Sequence, residues 1–192
     1  MLKETEKQKL RRKLAEYEGT IPHMYLDAKG YVTVGVGHLI ATVADAQKLQ
    51  FVDNTTRTKA TAAQIKADFD AVLKLPKNRL ASFYKAHTRL SLTPAEIDKL
   101  TNAHIEKFYK ELKLLYPDFD KYPEEARLAL FDLIFNVGMT NLKLTWPMFN
   151  KAVKDQDWQR AADNSKRAAP VSAARNKYVK DLLEAAAKSS RK

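Results

Sequence analysis

Glu18, Asp27 and Thr33 bring two carboxyls and a hydroxyl into one short stretch of chain. The stretch reads Glu18-Gly19, then Tyr25-Leu26-Asp27-Ala28-Lys29-Gly30-Tyr31-Val32-Thr33-Val34-Gly35-Val36-Gly37-His38. Such a set suits the hydrolysis of a glycosidic bond, in which one carboxyl protonates the leaving oxygen and the other handles water or the sugar cation. Each residue also has an ordinary reading. Glu18 could be a solvated helix end, Asp27 a turn aspartate ahead of Gly30, and Thr33 a β-branched strand residue. The four histidines, His23, His38, His87 and His104, show no metal-ligand spacing. No phosphate-cradling glycine loop follows a strand.

The elements that must hold these groups are legible as patterns. Leu10, Leu14 and Tyr17 recur at helical spacing among Lys, Arg and Glu, which predicts an amphipathic helix over about 4–17 that ends near Gly19. From Tyr25 to Leu39, β-branched and aromatic residues alternate, and Asp27-Ala28-Lys29-Gly30 supplies the turn of a β-hairpin, expected to be the sole sheet. Residues 51–56 read as a loop. Thr61 and Gln64 make a capping box for a helix that places Ile65, Phe69, Val72 and Leu73 on one face and stops before Pro76. Thr93, Pro94 and Glu96 mark another helix start, predicted to run to about Leu115. Residues 126–137 are apolar on nearly every side, as befits the central helix of a helical lobe. Trp146, Trp158 and the Ala-rich segments after them suggest further short helices, and the tail from Ala187 to Lys192 is expected to fray.

Composition sets the outer bounds. The 192 residues are 45% hydrophobic, enough for a proper core in one large domain or two lobes. No cysteine is present, so no disulfide framework and no thiol chemistry. Met1 to Lys7 is charged and lacks an apolar stretch, so no signal peptide is expected. No run is long and apolar enough to span a membrane. Lys and Arg number 34 against 23 Asp and Glu, a net charge of +11 that suits attraction to a polyanion without choosing among cell wall, nucleic acid and membrane surface.

The spacing Glu, eight residues, Asp, five residues, Thr, then Gly35-x-Gly37-His38, resembles the phage-type lysozymes, the muramidases of tailed bacteriophages and their bacterial relatives. The resemblance is carried most strongly by residues 18–39 and about 92–138. It implies an α+β, predominantly α-helical, two-lobed fold with a small β-hairpin subdomain, and a single catalytic domain over 1–192. Within that domain, 18–91 would form the hairpin lobe, 92–115 an inter-lobe helix, and 116–192 with the N-terminal helix a helical lobe. Residues 40–91 are longer than in small phage-type lysozymes and read as an insertion.

The activity implied is cleavage of the β-1,4 bond between N-acetylmuramic acid and N-acetylglucosamine in peptidoglycan, by inversion. Glu18 would be the general acid, and Asp27 with Thr33 would activate a water. Gly37, Leu39, Phe135, Asn136 and Arg175 would bind substrate, with His38 in support or simply closing the hairpin. Asn136 could instead cap a helix before Gly138, and Arg175 could bind carboxylates of the substrate or hold Glu18. The chain departs from the family at His104, where an acid is usual, and at Ala168-Ala169-Pro170, where an aromatic residue is usual. No cofactor and no metal is implied.

Peptidoglycan glycan strands are the expected partner, alongside an immunity or delivery protein; nucleic acid and membrane insertion are not expected, and a monomer is. The protein would be made in the cytoplasm and act on the cell wall in the periplasm after release or injection. That role would be either a phage endolysin or, with slight preference, the lysozyme domain of an antibacterial effector. The rival reading is a wall-binding module that has lost catalysis. A basic helical nucleic-acid binder is a weaker rival, because the apolar helices need their faces for a core.

Overall fold

The computed structural model describes residues 2–190. In chain order the elements are α1 (Glu4–Glu18), β1 (Ile21–Leu26), β2 (Val32–Gly35), β3 (His38–Leu39), α2 (Val43–Gln47), β4 (Phe51–Asp53), α3 (Ala62–Leu73), α4 (Ala81–Lys85), β5 (Leu90–Leu92), α5 (Pro94–Leu115), α6 (Glu124–Thr145), α7 (Pro147–Lys154), α8 (Trp158–Asp163) and α9 (Ala173–Ser189), with a 3-10 turn at Phe119–Lys121. The fold is α+β and predominantly helical, as the sequence implied. The chain divides into two compact units, one spanning Lys13–Ala103 and the other formed by the described residues on either side of it. The divisions fall inside α1 and inside α5, so each of these helices supplies residues to both units.

In the unit over Lys13–Ala103, β1, β2 and β3 form an antiparallel sheet in that order. Tyr25 pairs with Thr33, and Thr33 with Leu39, while an irregularity interrupts the pairing between Ile21 and Tyr25. This sheet does not stand alone, and residues 51–56 are not simply a loop. Phe51–Asp53 pairs antiparallel with Leu90–Leu92, forming a second, two-stranded sheet. Neither run is long enough to announce a strand by alternation, and each is completed by a partner distant in sequence. The capping box at Thr61 forms as predicted: the Gln64 amide donates to Thr61 Oγ1, and Thr61 N–H donates to Gln64 Oε1. α3 ends at Leu73, short of Pro76. Met24, Val34, Phe51, Val72, Tyr84 and Leu90 fill the core of this unit.

The other unit is built on α6, whose Ala129, Leu130, Leu133 and Ile134 are buried. Gly138 takes φ +76° and ψ 159°, so the first helical segment of α6 ends there as the sequence suggested, and helical backbone resumes beyond it to Thr145. Glycine tolerates this conformation because it has no Cβ to clash. Phe119 meets Phe131 edge to face, and Tyr122 meets Trp158 in the same way with ring centres 4.9 Å apart. α9 continues through Ser189, so the expected fraying does not begin at Ala187; Arg191 and Lys192 lie outside the described residues.

Candidate active site

Glu18 is the last residue of α1 and is half-buried. The Gly19 amide still donates to the Ala15 carbonyl at 3.1 Å, while Gly19 itself turns left-handed at φ +75° and redirects the chain into β1. A glycine just past a helix makes that turn without a steric penalty. Glu18 is thereby fixed where the helix stops and the sheet starts.

Asp27 follows β1. Its Oδ1 accepts the backbone amides of Lys29 and Tyr31, each at 2.9 Å. The Gly30 amide closes the turn onto the Asp27 carbonyl at 3.0 Å. The ordinary turn role of Asp27 is therefore present, and it occupies one carboxylate oxygen. Thr33 lies on the central strand, buried, with its hydroxyl donating to the Tyr31 carbonyl at 3.1 Å. That bond uses the hydroxyl proton and leaves oxygen lone pairs as acceptors.

Tyr25 joins these groups. It is the cross-strand neighbour of Thr33, so the two side chains stand on the same face of the sheet. Burial pushes its phenol above the ordinary value, and the negative charges of Asp27 and Glu18 push it further the same way. Both carboxylates therefore bear on one side chain, and that side chain neighbours the threonine. Tyr25 was not singled out from sequence.

Leu39, paired with Thr33 from the other side, is 49% exposed. Gly37 lies in the turn between β2 and β3, exposed, with no heavy atom within 4 Å of where a Cβ would sit. His38 pairs with Val34 and is half-buried, which lowers its pKa below 6.5 even though the charge of Asp45 pulls the other way. The imidazole is therefore neutral at neutral pH.

The remaining predicted residues belong to the other unit. Phe135 packs edge to face on Phe108 at 5.5 Å and on His104 at 6.2 Å. Arg175 is only 6% exposed, and its Nε donates to both oxygens of Asp132, at 3.2 and 3.0 Å. Arg167 Nη1 donates to Asp132 Oδ1 at 2.7 Å and to Asn136 Oδ1 at 3.4 Å. The Arg167 backbone and Nε are in turn held by Asn176 Oδ1. Asn136 and Arg175 are thus brought together through Asp132 and Arg167, neither of which was anticipated. The signal was an acid at position 132 inside a largely apolar stretch of helix, because a buried carboxylate there must find a cation.

A hollow of about 500 Å³ in the insertion is lined by Asp53, Asp68, His87 and Arg89 among others, and by none of the predicted site residues. Its carboxylates are engaged in holding backbone. Asp53 accepts the amides of Thr55 and Thr56, which hold it below the usual carboxylate range. Asp68 accepts those of Arg89 and Leu90, while burial pushes it above that range. Among the described residues no group of His, Asp and Glu is arranged to hold a metal ion.

No family model matches the chain. A curated protein of Dictyostelium discoideum, the probable T4-type lysozyme 1, is 23% identical to it over 149 residues, which covers 78% of this chain and 76% of that protein. What the chain resembles, at a distance, is a lysozyme.

Proposed function

We propose that this protein is a muramidase that hydrolyses the β-1,4 bond between N-acetylmuramic acid and N-acetylglucosamine in peptidoglycan. The observation that carries the reading is the placement of Glu18 at the end of α1 and of Asp27 and Thr33 on the hairpin that follows within the same unit. The distant likeness to a T4-type lysozyme points the same way. Glu18 protonates the departing glycosidic oxygen. Asp27, with one oxygen committed to backbone amides, uses the other to take a proton from water. Thr33, its own proton given to the Tyr31 carbonyl, accepts the second O–H of that water and turns its lone pair toward the anomeric carbon. Water attacking directly inverts the configuration there. Leu39 offers an apolar surface to a sugar ring, and Gly37 an open backbone. Delivery to the wall follows from release or injection by a partner, as for an antibacterial effector or an endolysin.

The test is purified wild type and Glu18→Gln incubated with isolated peptidoglycan, with products identified by mass spectrometry. Reducing muramic-acid ends from wild type alone are expected. Equal product from both would place the chemistry elsewhere. Wall binding without product from either would make this a binding module.

A further inference from the structure

Between Asp70 and Glu96 the sequence contains no carboxylate side chain, yet it carries Lys74, Lys77, Arg79, Lys85 and Arg89. Several cations elsewhere are answered nearby, Lys48 by Asp45, Lys66 by Asp70, Lys113 by Asp120 and Lys177 by Asp181. Arg89 is partly answered too, since its charge bears on Asp53 and Asp68. Lys74, Lys77, Arg79 and Lys85 are all exposed and make no ion pair with any described residue.

Apolar side chains stand among these cations. Leu80 is 82% exposed, Leu73 53% and Phe83 37%, with the Arg79 guanidinium 5.8 Å from the Phe83 ring centre. The backbone that presents them is tied down. Tyr84 is fully buried and donates its hydroxyl to the Pro76 carbonyl at 2.8 Å, and the His23 ring hydrogen-bonds the Ala81 carbonyl at 2.8 Å. Leu80 sits between those two anchors, at the start of α4, with its side chain outward.

We propose that residues 73–85 are a docking surface for an anionic lipid bilayer. The lysines and Arg79 meet headgroup phosphates, and Leu80 and Phe83 enter the boundary between headgroups and acyl chains. Clustered cations around apolar tips are the combination that an interface of this kind rewards. A soluble polyanion would engage the cations but would gain nothing from Leu80. No helix among the described residues is long and apolar enough to cross a membrane, so the contact is peripheral. This goes beyond the muramidase reading and does not depend on it.

The experiment is co-sedimentation of the full chain with vesicles of phosphatidylcholine alone or mixed with phosphatidylglycerol, across a salt series. Binding to the anionic vesicles only, weakening as salt rises, is expected. Lys74→Glu/Lys77→Glu lowers partitioning at least about tenfold, since each basic side chain near an anionic surface contributes a several-fold factor. Leu80→Ser lowers it about three- to tenfold, as expected for withdrawing one apolar side chain from the interface. Far-ultraviolet circular dichroism identical to wild type shows that these surface variants fold. Equal binding to phosphatidylcholine, or no binding to either vesicle, would overturn the proposal. Anionic binding lost in the lysine variant but untouched by Leu80→Ser would also overturn it, in favour of a site for a soluble polyanion.

Discussion

Asp27 and Asp132 are both aspartates that the surrounding chain grips, but they are gripped by opposite kinds of partner. Asp132 is 4% exposed and faces two guanidinium groups, those of Arg167 and Arg175. Asp27 is half-buried and is held by two neutral backbone amides on one oxygen. The first arrangement answers a charge with charges and leaves it little scope to act as a base. The second orients a carboxylate while leaving its charge unanswered by any cation, next to the field of a second carboxylate at Glu18. A buried carboxylate with strong partners serves the scaffold; a positioned carboxylate without a counter-cation is available for proton transfer.

Substitution at each place should separate these roles. Glu18→Gln should lower peptidoglycan hydrolysis about 10²–10⁴-fold, the usual worth of a positioned acid. Asp27→Asn should cause a loss of the same order, because asparagine keeps the Oδ1 acceptor for Lys29 and Tyr31 yet cannot take a proton. Neither change should shift the melting temperature by more than a few degrees. An Asp27→Asn protein that stays active but melts early would erase the contrast. Asp132→Ala should do the reverse, leaving two buried guanidinium groups without their carboxylate and costing roughly 3–5 kcal/mol in chemical denaturation. Were that variant as stable as wild type, the cluster would not be scaffold.

Two smaller effects sharpen the comparison. Thr33→Val keeps the strand's shape and removes only the hydroxyl; hydrolysis should fall about tenfold, the worth of one oriented hydrogen bond, with the midpoint of unfolding nearly unchanged. His38 gives a pH signature. Burial lowers its folded pKa below 6.5, so the unfolded chain binds the proton more readily. The stability this neutral imidazole contributes is present above 6.5 and is lost as pH falls from there through the lower folded value. Urea unfolding between pH 8 and pH 5 should show that loss in wild type and a flatter profile in His38→Gln.

The parts of the fold that were legible in the sequence are those written in adjacent residues. The Thr61–Gln64 box and the Thr93 cap, whose hydroxyl accepts the Glu96 amide at 3.2 Å, close within one helical turn. The hairpin around Asp27 closes within five residues, from Asp27 N–H to the Tyr31 carbonyl. The placement of Glu18, Asp27 and Thr33 was legible for the same reason, since one helix end and one hairpin hold all three. Tyr25 was missed because its role shows only when the fields of two carboxylates are added at its hydroxyl.

What the sequence determined by itself was therefore the longer helices, the first hairpin and the residue types able to do acid–base chemistry. Tertiary structure decided the rest. Phe51 finds its strand partner at Leu92. Asp132 finds Arg167 and Arg175 at separations of 35 and 43 residues. The lysines at 74, 77 and 85 are distinguished from paired lysines by which carboxylates the packing leaves out of reach. Helical periodicity and capping hydrogen bonds are settled within a few residues, so composition and order encode them. Strand pairing, burial of a charge and the exposure of Leu80 depend on which distant segments share a core, and that is a property of the packed chain.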